Sequence, residues 1–146
     1  MCFGPHQVLL SGLADTWPAR TTWTVDQLLM KYGDTKFNIS QRGVRNISMK
    51  FKDYVSYTKV QRDEDPLYIF DAKFGEAAPG LLEDYSVPHL FQEDLFAVLD
   101  RDQRPSYRWF IVGPERSGAS WHVDPALTSA WNTLLCGRKR YISYVT

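Results

Sequence analysis

The chain has 146 residues, 44% of them apolar, with five Trp, eight Tyr and eight Phe. That length suits one domain around one core, and the apolar share excludes a disordered chain. Seventeen basic and seventeen acidic residues cancel to zero net charge. The one basic cluster, Arg138-Lys139-Arg140, reads as a solvated turn, so a nucleic-acid-binding stripe is excluded.

No apolar run reaches the length of a membrane span, and no basic region followed by an apolar one opens the chain. Two cysteines, Cys2 and Cys136, make no disulfide framework. A reducing, intracellular setting is expected.

In chain order, residues 8–10 read as a short strand and residues 11–18 as a loop. Thr24 and Gln27 form a capping-box pattern that opens a helix. Val25, Leu28, Leu29 and Tyr32 share its apolar face, and Gly33 closes it. Phe37 and Ile39 alternate with polar residues, as do Ile47 and Met49, which predicts two strands about a Gln41-Arg42-Gly43 turn. A second helix is predicted over 52–59 and a buried strand over 67–70. Residues 75–104 are mixed, with short helices at Leu81-Leu82 and over 95–99.

Strands dominate the end of the chain. One is predicted over 109–112, followed by a Gly/Pro loop over 113–118, then strands over 120–124, 129–136 and 139–145. Gly137-Arg138 suits a two-residue hairpin turn between the last two. Helical elements thus come first and strands last, an α+β arrangement with a β-barrel or sandwich at its C-terminal side.

The chemistry gathers at His122 and Asp124. On an extended segment residues i and i+2 face the same way, so an imidazole nitrogen and a carboxylate oxygen converge. Such a mixed pair suits a divalent metal, and two His plus one carboxylate is the arrangement of non-haem Fe(II) oxygenases. A plain His–Asp hydrogen bond would give the same spacing. The hairpin register places Asn132, Leu134, Lys139 and Tyr141 on one face and Trp131, Leu135 and Ile142 on the other. A Lys facing inward is costly without an anion to receive it. Periodicity leaves open which face is the core.

A longer pattern surrounds these residues: Arg108-Trp-Phe-Ile-Val-Gly-Pro-Glu-Arg-Ser-Gly-Ala-Ser-Trp-His-Val-Asp-Pro, then Thr-Ser-Ala-Trp-Asn132 and Gly-Arg-Lys139-Arg. Upstream stand Trp23-Thr24, Lys31-Tyr32, Pro66-Leu-Tyr-Ile-Phe-Asp71, Leu81-Leu-Glu-Asp-Tyr85 and Val87-Pro88. Together they resemble the JmjC oxygenases, above all the bifunctional arginine demethylase and lysyl-hydroxylase subgroup.

The resemblance implies an incomplete double-stranded β-helix, or cupin-like jelly roll, with N-terminal helices and short strands. Residues 1–146 would be the N-terminal portion of the JmjC domain, roughly 1–105 a lead-in and 106–146 the first barrel strands. It implies Fe(II), 2-oxoglutarate and O2 as cofactor and cosubstrates. His122 and Asp124 would ligate the iron, Lys139 would pair with the distal carboxylate of 2-oxoglutarate, and Asn132 and Tyr68 would line the cosubstrate site. The expected activity is hydroxylation or demethylation of Lys or methyl-Arg side chains in a protein substrate, in the nucleus. The family's third ligand, a later His, has no counterpart here, since His6 and His89 match no motif position. The chain by itself is therefore expected to be inactive. The alternative is a non-catalytic interaction module. Ala119 stands where the subgroup has Thr, with Ser120 beside it, which bears on substrate contacts there.

Overall fold

The computed structural model describes residues 7–40, 47–100, 102–124 and 128–142. Cys2, His6, the Gln41-Arg42-Gly43 turn and the end of the last predicted strand lie outside them.

The apolar alternation of Phe37 and Ile39 produces β1 (Lys36–Ser40), which pairs antiparallel with β2 (Ile47–Lys50) in the register Phe37↔Met49. The α-helices among the described residues are α1 (Ala19–Thr22), α2 (Val25–Tyr32), α3 (Phe51–Val60) and α4 (Phe74–Ala77). β3 (Tyr68–Asp71) and β4 (Phe110–Val112) complete a four-stranded antiparallel sheet of order β2-β1-β3-β4. Three 3-10 turns, Pro79–Leu82, His89–Phe91 and Leu95–Val98, fill the connection to β4.

One face of the sheet is covered. Phe37, Ile39, Ile69 and Phe110 point into a core closed by Leu28 of α2, Phe51, Tyr54 and Val55 of α3, Phe74, and Leu81. Ring contacts fill this core: Phe110 lies 5.3 Å from both Trp23 and Phe37 and 5.8 Å from Phe74. The other face stays open. Phe70 is 37% exposed and stacks on Trp109 at 5.8 Å and 18°. β3 was expected to be a buried strand; its alternating burial shows that it is covered on one side.

Helix α2 begins as its sequence dictates, with the Thr24 hydroxyl accepting from Gln27 N at 3.3 Å. Gly33 is its C-cap, where a Cβ would stand 2.6 Å from Leu29 O. None of the helices in the described residues is long and apolar enough to cross a membrane.

Four expectations are corrected. Residues 8–10 form no strand and lie exposed. The segments 120–124, 129–136 and 139–142 join no ladder among the described residues. A strand exists only when its backbone pairs along a ladder, and these segments, though rich in strand-forming residues, pair along none among the described residues. The observed architecture is a small α+β domain with one sheet and a helical cover.

Candidate metal and cosubstrate site

β4 ends at Val112, and the chain turns through 113–118 before it reaches the His-x-Asp pair. Ser117 closes this turn, its backbone N–H and its hydroxyl both donating to Pro114 O, at 3.2 and 2.7 Å. The turn uses two unusual backbone conformations, φ 70° at Arg116 and φ 145° at Gly118. The second suits only glycine at little cost.

His122 and Asp124 converge although no ladder holds them. His122 Nε2 lies 3.4 Å from Asp124 Oδ1, and the side chains are 57% and 38% exposed. His122 Nδ1 lies 2.6 Å from Ser120 O. A carbonyl can only accept, so Nδ1 carries a proton and donates it. Nε2 is then the nitrogen turned toward the Asp124 carboxylate, and a proton or a divalent metal can lie between the two atoms. Bonds of about 2.1 Å from each atom reach a common point at this separation. An imidazole oriented by a carbonyl on its far nitrogen is the usual support of a metal-ligating His. The donor set therefore fits a divalent ion. Among the described residues no group of three His, Cys, Asp or Glu side chains gathers to hold one, and His89 sits exposed on its 3-10 turn.

Tyr68 stands beside the pair. An open hollow of about 260 Å³ is lined by Tyr68 and Phe70 of β3, Ser40 of β1, the backbone stretch Gly118 to Ser120, and His122. Ala119 and Ser120 both reach it.

Asn132 and Lys139, expected on one face of a hairpin, lie within hydrogen-bonding distance although no ladder joins their segments among the described residues. Lys139 Nζ donates to Asn132 Oδ1 at 2.7 Å, and Asn132 Nδ2 donates to Tyr141 OH at 2.8 Å. Lys139 Nζ also lies 4.8 Å from the Tyr141 ring centroid. Gly137, with φ 84°, makes the reversal between them. This cluster is exposed, whereas Trp131 on the opposite face stacks on Phe91 at 5.3 Å. Trp131 thus packs on the domain and Lys139 meets solvent, while Ile142, expected on the Trp131 face, is 55% exposed. Lys139 pays no desolvation cost there, and among the described residues no carboxylate neutralises it. No hydrogen bond or ion pair among the described residues links this cluster to His122 and Asp124.

Two partners were not foreseen. The Ser120 carbonyl is a backbone group that no side-chain pattern reveals. The Ser117 hydroxyl lay in a stretch legible only as a Gly/Pro loop. Cys136 is a free, exposed thiol.

No family model matches the chain. Curated relatives do. The chain is 76% identical over 137 residues to a lysine-specific demethylase, JMJ21, of Arabidopsis thaliana, covering 94% of this chain and 14% of that protein. It is 46% identical over 138 residues to the bifunctional arginine demethylase and lysyl-hydroxylase psr-1 of Caenorhabditis elegans, covering 92% and 34%. A 2-oxoglutarate and iron-dependent oxygenase, JMJD4, of Mus musculus is 26% identical over 162 aligned positions, 94% of this chain and 37% of that protein. The chain thus spans between about a seventh and about a third of the length of the relatives it matches. Over nearly all of its own length, the chain is a homologue of the JmjC demethylases and hydroxylases.

Proposed function

We propose that this chain supplies the His-x-Asp half of the iron centre, and the cosubstrate lysine, of a 2-oxoglutarate-dependent oxygenase that acts on Lys or methyl-Arg side chains of proteins. The observation that carries this reading is the orientation of His122, whose Nδ1 is committed to Ser120 O while Nε2 faces Asp124 Oδ1 at 3.4 Å. Relatives bearing arginine demethylase, lysyl-hydroxylase and iron-dependent oxygenase names support the reaction class.

Fe(II), when bound, supplies the redox chemistry that couples oxidative decarboxylation of 2-oxoglutarate to hydroxylation of a substrate C–H bond. The chain's own residues bind and orient. His122 and Asp124 hold the metal from one side. Lys139 offers an ammonium with donors to spare to the distal carboxylate of the diacid, and Asn132, already bonded to it, holds it in place. Tyr68 forms the aromatic wall next to His122. On a lysine the product is hydroxylysine; on an N-methyl group the hydroxymethyl product releases formaldehyde.

In this reading the four-stranded sheet and its helical cover are the lead-in of a jelly roll, roughly residues 1–105, and residues 106–146 begin the barrel. The open face bearing Phe70 and Trp109 is where further strands would pack. Among the described residues two protein donors meet, and two hold iron less firmly than the three of a facial triad.

The test is anaerobic titration with Fe(II) and 2-oxoglutarate. The wild-type chain gives the charge-transfer absorption that arises only when the diacid chelates the metal, and His122→Ala and Asp124→Ala abolish it. Lys139→Ala leaves iron binding intact and weakens the diacid at least tenfold, the loss of one charge-assisted contact. An equal band in His122→Ala, or none in wild type, rules the assignment out.

A further inference from the structure

His122 belongs to no strand ladder, so something else must set where it stands relative to Tyr68 across the hollow. The connection between β4 and His122 is the turn over 113–118, and its packing is specific. A Cβ placed on Gly113 would stand 2.2 Å from Ser117 Oγ and 3.3 Å from Tyr68 Cβ. The Ser117 hydroxyl therefore occupies the space a side chain at 113 would take, wedged where the turn lies against β3. Its 2.7 Å hydrogen bond to Pro114 O fixes it there. Only two residues separate Ser117 from Ser120, whose carbonyl orients the His122 ring at 2.6 Å.

The conformation so held is not one the chain adopts freely. Arg116 sits at φ 70°, in the left-handed region that non-glycine residues avoid. Such a conformation persists only where the surroundings over-determine it. Here the surroundings are the Ser117 bonds on one side and, at Gly113, the Tyr68 side chain of β3 on the other.

We infer that Ser117 is a positioning residue for the metal centre: its hydroxyl locks the 113–118 turn against β3 and so presents Ser120 O, and through it His122 Nε2, to Asp124. The inference rests on the assignment of His122 and Asp124 as metal ligands. It concerns ligand geometry, so metal affinity must respond to it independently of global stability.

The experiment is a Mn(II) titration of the full chain, read by paramagnetic broadening of the His122 imidazole resonances and by the apparent Kd, with thermal melting of each variant alongside. Wild type shows selective broadening at His122, and His122→Ala and Asp124→Ala lose the binding. Ser117→Ala weakens Mn(II) by roughly tenfold, the lower end of what loss of an orienting partner costs a metal site. Ser117→Thr, which keeps the hydroxyl, restores wild-type affinity. Gly113→Ala also weakens the metal because its methyl collides with the Ser117 hydroxyl. Gly113→Ala combined with Ser117→Ala binds no worse than Ser117→Ala alone, because the collision is gone. That non-additivity keeps the question answerable if either single variant melts early.

Unchanged Kd in Ser117→Ala, with a lowered melting temperature, makes Ser117 merely structural and overturns the inference while the metal assignment stands. Wild type that fails to broaden His122 overturns both.

Discussion

Tyr54 brings a phenol into the core for the sake of its hydroxyl, which donates to Val112 O at 2.8 Å with Leu67 O 3.3 Å away. One α3 side chain thus ties the approach to β3 to the end of β4. Burial pushes this phenol well above the ordinary tyrosine range. The sign of the linkage follows. A folded-state pKa above the unfolded value gives stability that is complete below the unfolded value, about 10, and is lost as pH rises through the folded one. Tyr54→Phe should cost about 1–2 kcal/mol at neutral pH, the loss of a hydrogen bond that leaves a buried carbonyl unmet. Above roughly pH 10 the gap between variant and wild type should narrow, because only the wild type carries the buried phenol. Urea midpoints from pH 7 to 11 read this out, and a constant gap across that range refutes it. At this scale the His122–Asp124 spacing was legible in the sequence, because i and i+2 converge on any extended backbone. The Ser120 carbonyl that orients the ring was not, because every residue carries a carbonyl and only the path of the chain selects one.

The elements legible in the sequence are those specified by their own residues. Helices α2 and α3 show apolar spacing over two turns or more, α2 with its Thr24 cap, and β1 and β2 show clean alternation. Helices α1 and α4, four residues each, are too short to show a period. The strands expected after residue 119 failed for the opposite reason: their residue types suit strands, but pairing is a property of a partner distant in sequence. β3 combines both kinds of information. Its Asp71, 3% exposed, entered the sequence reading only as the last residue of a family pattern, yet it fixes how β3 lies on β1. It accepts from Asn38 N at 2.9 Å, Asn38 Nδ2 at 3.1 Å and Lys73 N at 2.7 Å. Both carboxylate oxygens are used, so an amide would turn a donor toward a donor. Asp71→Asn should lower the unfolding free energy by about 2–3 kcal/mol, and Asn38→Ala in the same background should cost less than it does alone. Denaturant melts of the four-member cycle decide it; full additivity would mean the pair is not coupled.

Across the molecule, the residues proposed for the cosubstrate and the pair proposed for the metal are supported by different means. The pair hangs from β4 by the Ser117 turn. Asn132, Lys139 and Tyr141 ride on the segment 128–142, which has no backbone ladder among the described residues. This segment is anchored by Trp131, 37% exposed, stacked on Phe91 at 5.3 Å and 2° and set edge-on to Trp17 at 6.3 Å. Aromatic pairs of this kind contribute about 0.5–1.5 kcal/mol each beyond area burial, enough to dock a segment and too little to make it part of the cooperative core. Trp131→Ala should therefore free the segment and leave the domain folded. In hydrogen exchange followed by mass spectrometry, peptides covering 128–142 should lose what protection they have, while those covering β1, β3 and α3 exchange as in wild type. The urea midpoint of the domain should barely move, since the sheet's inner face, with Phe37, Ile69 and Phe110, does not depend on Trp131. Binding of 2-oxoglutarate should weaken several-fold with iron binding retained, because Lys139 loses its fixed place and His122 does not. If the sheet peptides lose protection together with 128–142, the segment is an integral part of the core and the two supports are one.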